Sequence, residues 1–102
     1  MADIGATIDI DAQLLRGWPL PQPDGAADKE ERGATLVIAG SAEMPGTAML
    51  AATSALRAGA GKIAVAAVAD IAPGIALRLA EARVIAMAET EGGGIAADAM
   101  WK

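Results

Sequence analysis

The residues best placed for chemistry in this 102-residue chain lie in one loop, Gly40-Ser41-Ala42-Glu43-Met44-Pro45-Gly46-Thr47. Gly40 frees the backbone for a sharp turn, and Gly46 leaves room for a ligand near the main chain. A helix starting near Thr47 turns its unpaired N–H groups and positive dipole end toward that space. Phosphate is the natural guest of such a place. The same glycines read equally as the geometry of a plain strand-to-helix connection. Two other phosphate motifs fail on spacing. Gly59-Ala60-Gly61-Lys62 ends like a P-loop, but Leu56 stands where the first Gly is required and Ile63 where Ser or Thr is. The dinucleotide fingerprint fails because Ser41 and Ala42 follow Gly40, with no second Gly at the required spacing. No general base stands out. Glu43 is the acid nearest the expected ligand side, Asp70 reads as a helix cap, and Glu81 reads as structural or solvated.

The elements that must position this loop follow from the hydrophobic pattern. Thr35-Leu36-Val37-Ile38-Ala39 is a continuous apolar run ended by Gly40, suited to a parallel strand buried on both faces. Residues 46–58 are dense in helix formers, with Met49, Ala52 and Leu56 at helical spacing and Gly59 as the stop. Residues 62–68 are the second apolar run. Asp70 is placed to cap a following helix, Pro73 falls in its first turn, and Ile71, Ile75 and Leu79 form a one-sided stripe. Residues 83–88 are the third run, Gly92-Gly93-Gly94 is a turn, and residues 95–101 look like the start of another helix. The order β-α-β-α-β-α predicts an α/β fold with a mostly parallel sheet. Ligands of such sheets bind beyond the carboxyl ends of the strands.

Residues 1–33 form a lead segment of different character. Asp11 is placed to cap a short helix that Gly17 ends. Trp18-Pro19-Leu20-Pro21-Gln22-Pro23 cannot be a regular helix. Asp28-Lys29-Glu30-Glu31-Arg32 is a charged approach to residues 34–102, the α/β portion.

Composition narrows the function classes. The chain has no Cys and no His, which excludes thiolate and imidazole metal sites, disulfides, Ser-His-Asp triads and Cys nucleophiles. Its net charge of −5, without basic clusters, argues against nucleic acid as a partner. No apolar run reaches membrane-spanning length, so no membrane partner is expected. The acidic start Met1-Ala2-Asp3-Ile4 lacks the basic region of a secretory signal, leaving the cytoplasm as the default. The hydrophobic fraction of 54% includes 27 Ala, with no Phe or Tyr. Helices can pack closely, but large side chains to hold a small domain are few. The sequence also stops within an expected helix, and three strands leave open edges, so it reads as cut rather than finished.

The run from Lys29 through Gly40-Ser41 resembles a known family, as do Met44-Pro45-Gly46-Thr47-Ala48-Met49-Leu50-Ala51-Ala52 and Ala55-Leu56-Arg57-Ala58-Gly59-Ala60-Gly61-Lys62. The family is the ADP/ATP-dependent NAD(P)H-hydrate dehydratases, of the ribokinase-like superfamily. The resemblance covers nearly the whole chain, but only the N-terminal part of a family member. It implies part of a ribokinase-like three-layer α/β/α domain. It further implies carbon-oxygen lyase activity in metabolite repair, converting the hydrated cofactors NADHX and NADPHX to NAD(P)H. ADP or ATP phosphorylates the added hydroxyl, with Mg2+, and phosphate is then eliminated. The resemblance places substrate near Gly46-Thr47, with Gly40 and Ser41 completing the loop; Thr47 stands where Ala is usual. The family's catalytic Asp lies in a Gly-Thr-Gly-Asp-type motif that this chain lacks, as are the nucleotide-binding segments. The expectation is therefore a fragment inactive alone, from an intact protein that forms a homo-oligomer. The alternative is a non-catalytic remnant or interaction module that pairs through open sheet edges.

Overall fold

The computed structural model describes residues 5–22, 24–26 and 28–101, with only the backbone of Met100 and Trp101. The acidic start at residues 1–4 and the last proline of the Pro-rich stretch, Pro23, lie outside the described residues. The elements are α1 (Ala12–Arg16), β1 (Ala34–Ile38), α2 (Gly46–Arg57), β2 (Lys62–Val68), α3 (Ala72–Arg78), β3 (Ala82–Met87) and a terminal 3-10 helix (Ala97–Trp101).

The three strands form one sheet in the order β1-β2-β3, and both pairings are parallel. The expected α/β class with a parallel sheet is the observed one. Val37 pairs with Val65, and Val65 with Val84, so these three share a face. Ile63, Val65 and Ala67 of that face join Ala48 and Ala52 of α2, and Ile75 and Leu79 from α3 and its end, in a single core. Both long helices therefore cover the same side. Alanine on facing positions lets each helix lie close to the sheet, which suits a chain rich in Ala. The stripe Ile71, Ile75 and Leu79 packs as its spacing predicts, with Ile71 half-buried and the other two buried. The other face carries Leu36 and Ile38 of β1, which remain 58% and 47% exposed.

The lead segment is tied to the amino end of the sheet by backbone. The amides of Gly61 and Lys62 both donate to the Gly33 carbonyl, at 3.0 and 3.1 Å. A side chain at Gly61 would collide with the Lys29 carbonyl, so Gly61 permits a close crossing of two backbones. This is what the glycine of the failed P-loop ending does. Lys62 also pairs with Glu30 at the surface, a contact worth under about 1 kcal/mol. Asp11 caps α1, accepting from the Leu14 amide at 2.8 Å.

Three expectations are corrected. β1 is not buried on both faces, because Leu36 and Ile38 lie on the side that neither helix covers. Asp70 does not cap α3; Ile71 is the capping residue, and no side chain bonds to the helix start. The Ile71 amide donates to the Val68 carbonyl at 3.2 Å, so a tight backbone turn leads into the helix without an Asp acceptor. Residues 95–101 do not begin an α-helix. Ile95 is held in an antiparallel bridge with Glu89, and the helical turn that follows at Ala97 is 3-10. Its first bond, from the Ala99 amide to the Ala96 carbonyl at 3.0 Å, has the three-residue spacing of that form.

Candidate functional site

β1 delivers Gly40 at its carboxyl end with a φ of +93°, and Gly40 is buried. A Cβ there would lie 3.1 Å from Ile71 Cδ1 and 3.2 Å from Ala48 Cβ. The loop can therefore turn only because residue 40 has no side chain. Beyond it the backbone folds on itself. The Met44 amide donates to the Ser41 hydroxyl at 3.2 Å and lies 3.1 Å from the Ser41 carbonyl. The Thr47 hydroxyl donates to the Met44 carbonyl at 2.9 Å. Both hydroxyls are thus engaged in shaping the loop.

Pro45 precedes α2 in helical geometry, with no side-chain cap. Gly46 opens the helix with nothing within 4 Å of where a Cβ would sit. Gly46 and Thr47 are exposed, and Ser41 is half-buried. The four expected site residues, Gly40, Ser41, Gly46 and Thr47, thus line one short loop at the carboxyl end of β1. The Thr47 amide makes a long 3.4 Å bond to the Met44 carbonyl, so a helix start with open space beside Gly46 is what the arrangement offers an acceptor-rich ligand.

Sequence reasoning missed a neighbour of this loop. The turn after β3 comes back against it, and the Ala42 amide donates to the Gly93 carbonyl at 2.9 Å. The available signal was the parallel order itself, which places the loops after β1 and β3 at the same end of the sheet, together with the Gly92–Gly94 run.

The electrostatics of this end are one-sided. Glu43, Asp70, Glu89 and Glu91 all lie in the loops that leave the strand carboxyl ends, and all are exposed. Among the described residues, those loops hold no Lys or Arg; Arg57, Lys62, Arg78 and Arg83 sit at helix ends or strand starts, toward the other end. Among the described residues there is also no group of three or more Asp, Glu, His or Cys able to hold a metal ion. The residues present do not fit a magnesium–nucleotide site, which needs cations or clustered carboxylates. A larger open groove of about 1110 Å³ lies at the amino end of the sheet, lined by Leu20, Pro21, Arg32, Thr35, Ala58 and Ala60 among others. Gly33 and Gly59 also line it, and α2 meets it with its carboxyl end, not with a helix start.

No protein-family model matches the chain, and no solved structure matches it. Curated proteins do. The chain is 50% identical over 86 residues to the ADP-dependent (S)-NAD(P)H-hydrate dehydratase of Xanthomonas campestris, which covers 84% of this chain and 29% of that protein. It is 40% identical over 63 residues to the enzyme of the same name from Bacillus subtilis, covering 62% of this chain and 23% of that one. It is 32% identical over 110 residues to the bifunctional NAD(P)H-hydrate repair enzyme Nnr of Moorella thermoacetica, covering 98% and 21%. The chain spans less than a third of the length of these relatives.

Proposed function

Because this chain is a partial homologue of the NAD(P)H-hydrate dehydratases, we propose that it supplies the first part of the substrate site in such an enzyme. The substrate is NADHX or NADPHX, and the reaction of the whole protein is dehydration to NAD(P)H, a carbon-oxygen lyase step in metabolite repair. The observation that carries this reading is the 50% identity over 86 of the 102 residues, a matched stretch long enough to span the Gly40–Thr47 loop. The relatives' names attach ADP to the reaction, so a nucleotide is the phosphoryl donor of the whole protein. The described residues do not build the donor's site, and no step is assigned to them in phosphoryl transfer.

The chemistry of the loop divides the substrate. Among the described residues, four carboxylates and no cation at this end disfavour the phosphates. The open helix start at Gly46 and Thr47 suits the hydrated ring and its ribose, whose hydroxyls and amide are neutral. The domain is part of a ribokinase-like fold, works in the cytoplasm, and belongs to a homo-oligomer; residues 1–33 lead into it as a separate segment.

The test is a titration of the isotope-labelled 102-residue chain with NADPHX, read at the amides of Gly46, Thr47 and Ala48. The expected result is progressive movement of these three signals, and no recovery of NADPH absorbance when ADP and Mg2+ are added. Movement confined to the groove near Leu20 and Ala60 would refute the site. Turnover by the chain alone would refute the division of labour.

A further inference from the structure

The turn after β3 holds the ligand loop from outside, and we propose that Gly93 is a positioning residue for the substrate site. The inference rests on the reading of the Gly40–Thr47 loop as that site. The turn is built to be rigid. The Thr90 amide donates to the Gly94 carbonyl at 2.8 Å, and the Gly93 amide donates to the Thr90 carbonyl at 3.0 Å. The Gly94 amide donates to the Thr90 hydroxyl at 3.2 Å. The Glu89–Ile95 bridge and a bond from the Ala96 amide to the Ala88 carbonyl, at 2.8 Å, close its base.

This turn reaches across and presents the Gly93 carbonyl to the Ala42 amide. Gly93 is buried and has a φ of +81°, and a Cβ on it would lie 3.3 Å from Ala42 Cβ. Any side chain at residue 93 is therefore strained in the turn and pushes on the loop. Ala42 lies between Gly40, which is wedged against α3 and α2, and the Ser41–Met44–Thr47 bonds that lead to the helix start. Its amide is the point where the height of the loop above the sheet is set. Without the Gly93 carbonyl, the loop keeps its internal bonds but loses its outer anchor. The position of the Gly46 and Thr47 backbone relative to the ligand then becomes loose, and sites held by a loose support lose affinity.

The experiment uses the 102-residue chain with NADPHX, comparing the parent with Gly93→Ala, Thr90→Ala and Thr90→Ser. Exchange of the Ala42 amide, melting temperature and NADPHX affinity are read for each. The expected result is faster Ala42 exchange and about tenfold weaker NADPHX binding in Gly93→Ala and Thr90→Ala. Thr90→Ser keeps the hydroxyl acceptor and restores parental affinity, although a merely space-filling threonine would not be rescued by it. Parental affinity in Gly93→Ala, with Ala42 exchange raised, overturns the positioning role and leaves the site reading intact. Absence of any NADPHX response at Gly46–Ala48 in the parent overturns the site reading, and the positioning role with it.

Discussion

Replacing Gly40 by Ala tests the geometry of the ligand loop most directly. Two costs add. An L-residue in left-handed geometry loses about 1–2 kcal/mol, and the φ of +93° places residue 40 there. The new methyl would meet Ile71 Cδ1 at 3.1 Å, Ala48 Cβ at 3.2 Å and Ala67 Cβ at 3.5 Å. Ala48 and Ala67 are fully buried and cannot swing away, so crowding adds about 1–2 kcal/mol. The sum is about 2–4 kcal/mol. For a domain near this size, 1 kcal/mol shifts the melting temperature by about 4–8 °C, so a fall of about 8–32 °C is expected. The two costs can be separated. Ile71→Val removes the Cδ1 atom, so in the Gly40→Ala background it relieves crowding that it cannot relieve in the parent. A double-mutant cycle by thermal and urea unfolding should give a favourable coupling of about 1 kcal/mol. A melting temperature within about 5 °C of the parent for Gly40→Ala would refute the reasoning, because neither cost could then be present at its usual size.

Three further outcomes follow from the same structure. Thr47→Ala removes a hydroxyl that bonds within the loop, so it should cost under about 1 kcal/mol in urea unfolding and change NADPHX affinity less than about twofold; a tenfold loss would mean the hydroxyl meets the ligand. Ile75→Ala, at a core position 2% exposed, should cost about 2–5 kcal/mol, whereas Leu36→Ser, at 58% exposed, should cost under about 1.5 kcal/mol; equal losses would show that the second sheet face is covered in solution. NADPHX binding should strengthen about two- to threefold between 10 and 150 mM NaCl, because unit charges ~10 Å apart repel by about 0.4 kcal/mol in water and salt screens them; the usual weakening with salt, read by calorimetry, would place a cation at the site.

The fold was legible where periodicity and punctuation agreed. Gly40 closes the first apolar run and Gly59 the first long helix, and the strand and the helix each end two residues before their glycine, within a residue of the expected bounds. The Ile71, Ile75 and Leu79 stripe named the buried side of α3 because helical spacing alone decides which residues share a side. Misreadings came where a local signal met a non-local one. Asp70 has the chemistry of a cap, but the turn from Val68 into Ile71 satisfies the helix start through backbone. Residues 95–101 look helical by composition, yet the returning turn claims Ile95 first. The place of the Gly40–Thr47 loop in the fold was legible because its glycines mark it. The Gly93 contact was not, because a bond between residues 42 and 93 leaves no trace in spacing. Thr47 illustrates the same limit at a smaller scale. Its sequence position shows only a larger side chain where Ala is usual, and the Met44 carbonyl, 2.9 Å away, shows the hydroxyl turned back onto the loop.

The two faces of the sheet explain how so few large residues order the Gly40–Thr47 loop. On the covered face the buried positions are Ile63, Val65 and Ala67, set against Ala48 and Ala52. Alanine buries little apolar area, but it brings α2 close enough for Ala48 Cβ to sit 3.2 Å from where a Cβ on Gly40 would be. Close approach of backbones therefore fixes the Gly40–Thr47 loop where side-chain bulk is lacking. The exposed large residues of β1 lie on the other face, where Leu36 and Ile38 are about half exposed, although Ala66 and Val68 of β2 are buried there. Full burial of such a side chain is worth about 1.5–3 kcal/mol, so each holds about 1 kcal/mol of unrealised stabilisation. A sheet built this way has its precision on one side and its unused hydrophobic energy on the other. Changes on the Ala face should then disturb the loop at Gly40 first. Changes on the Leu36 and Ile38 face should alter solubility and association while leaving that loop in place.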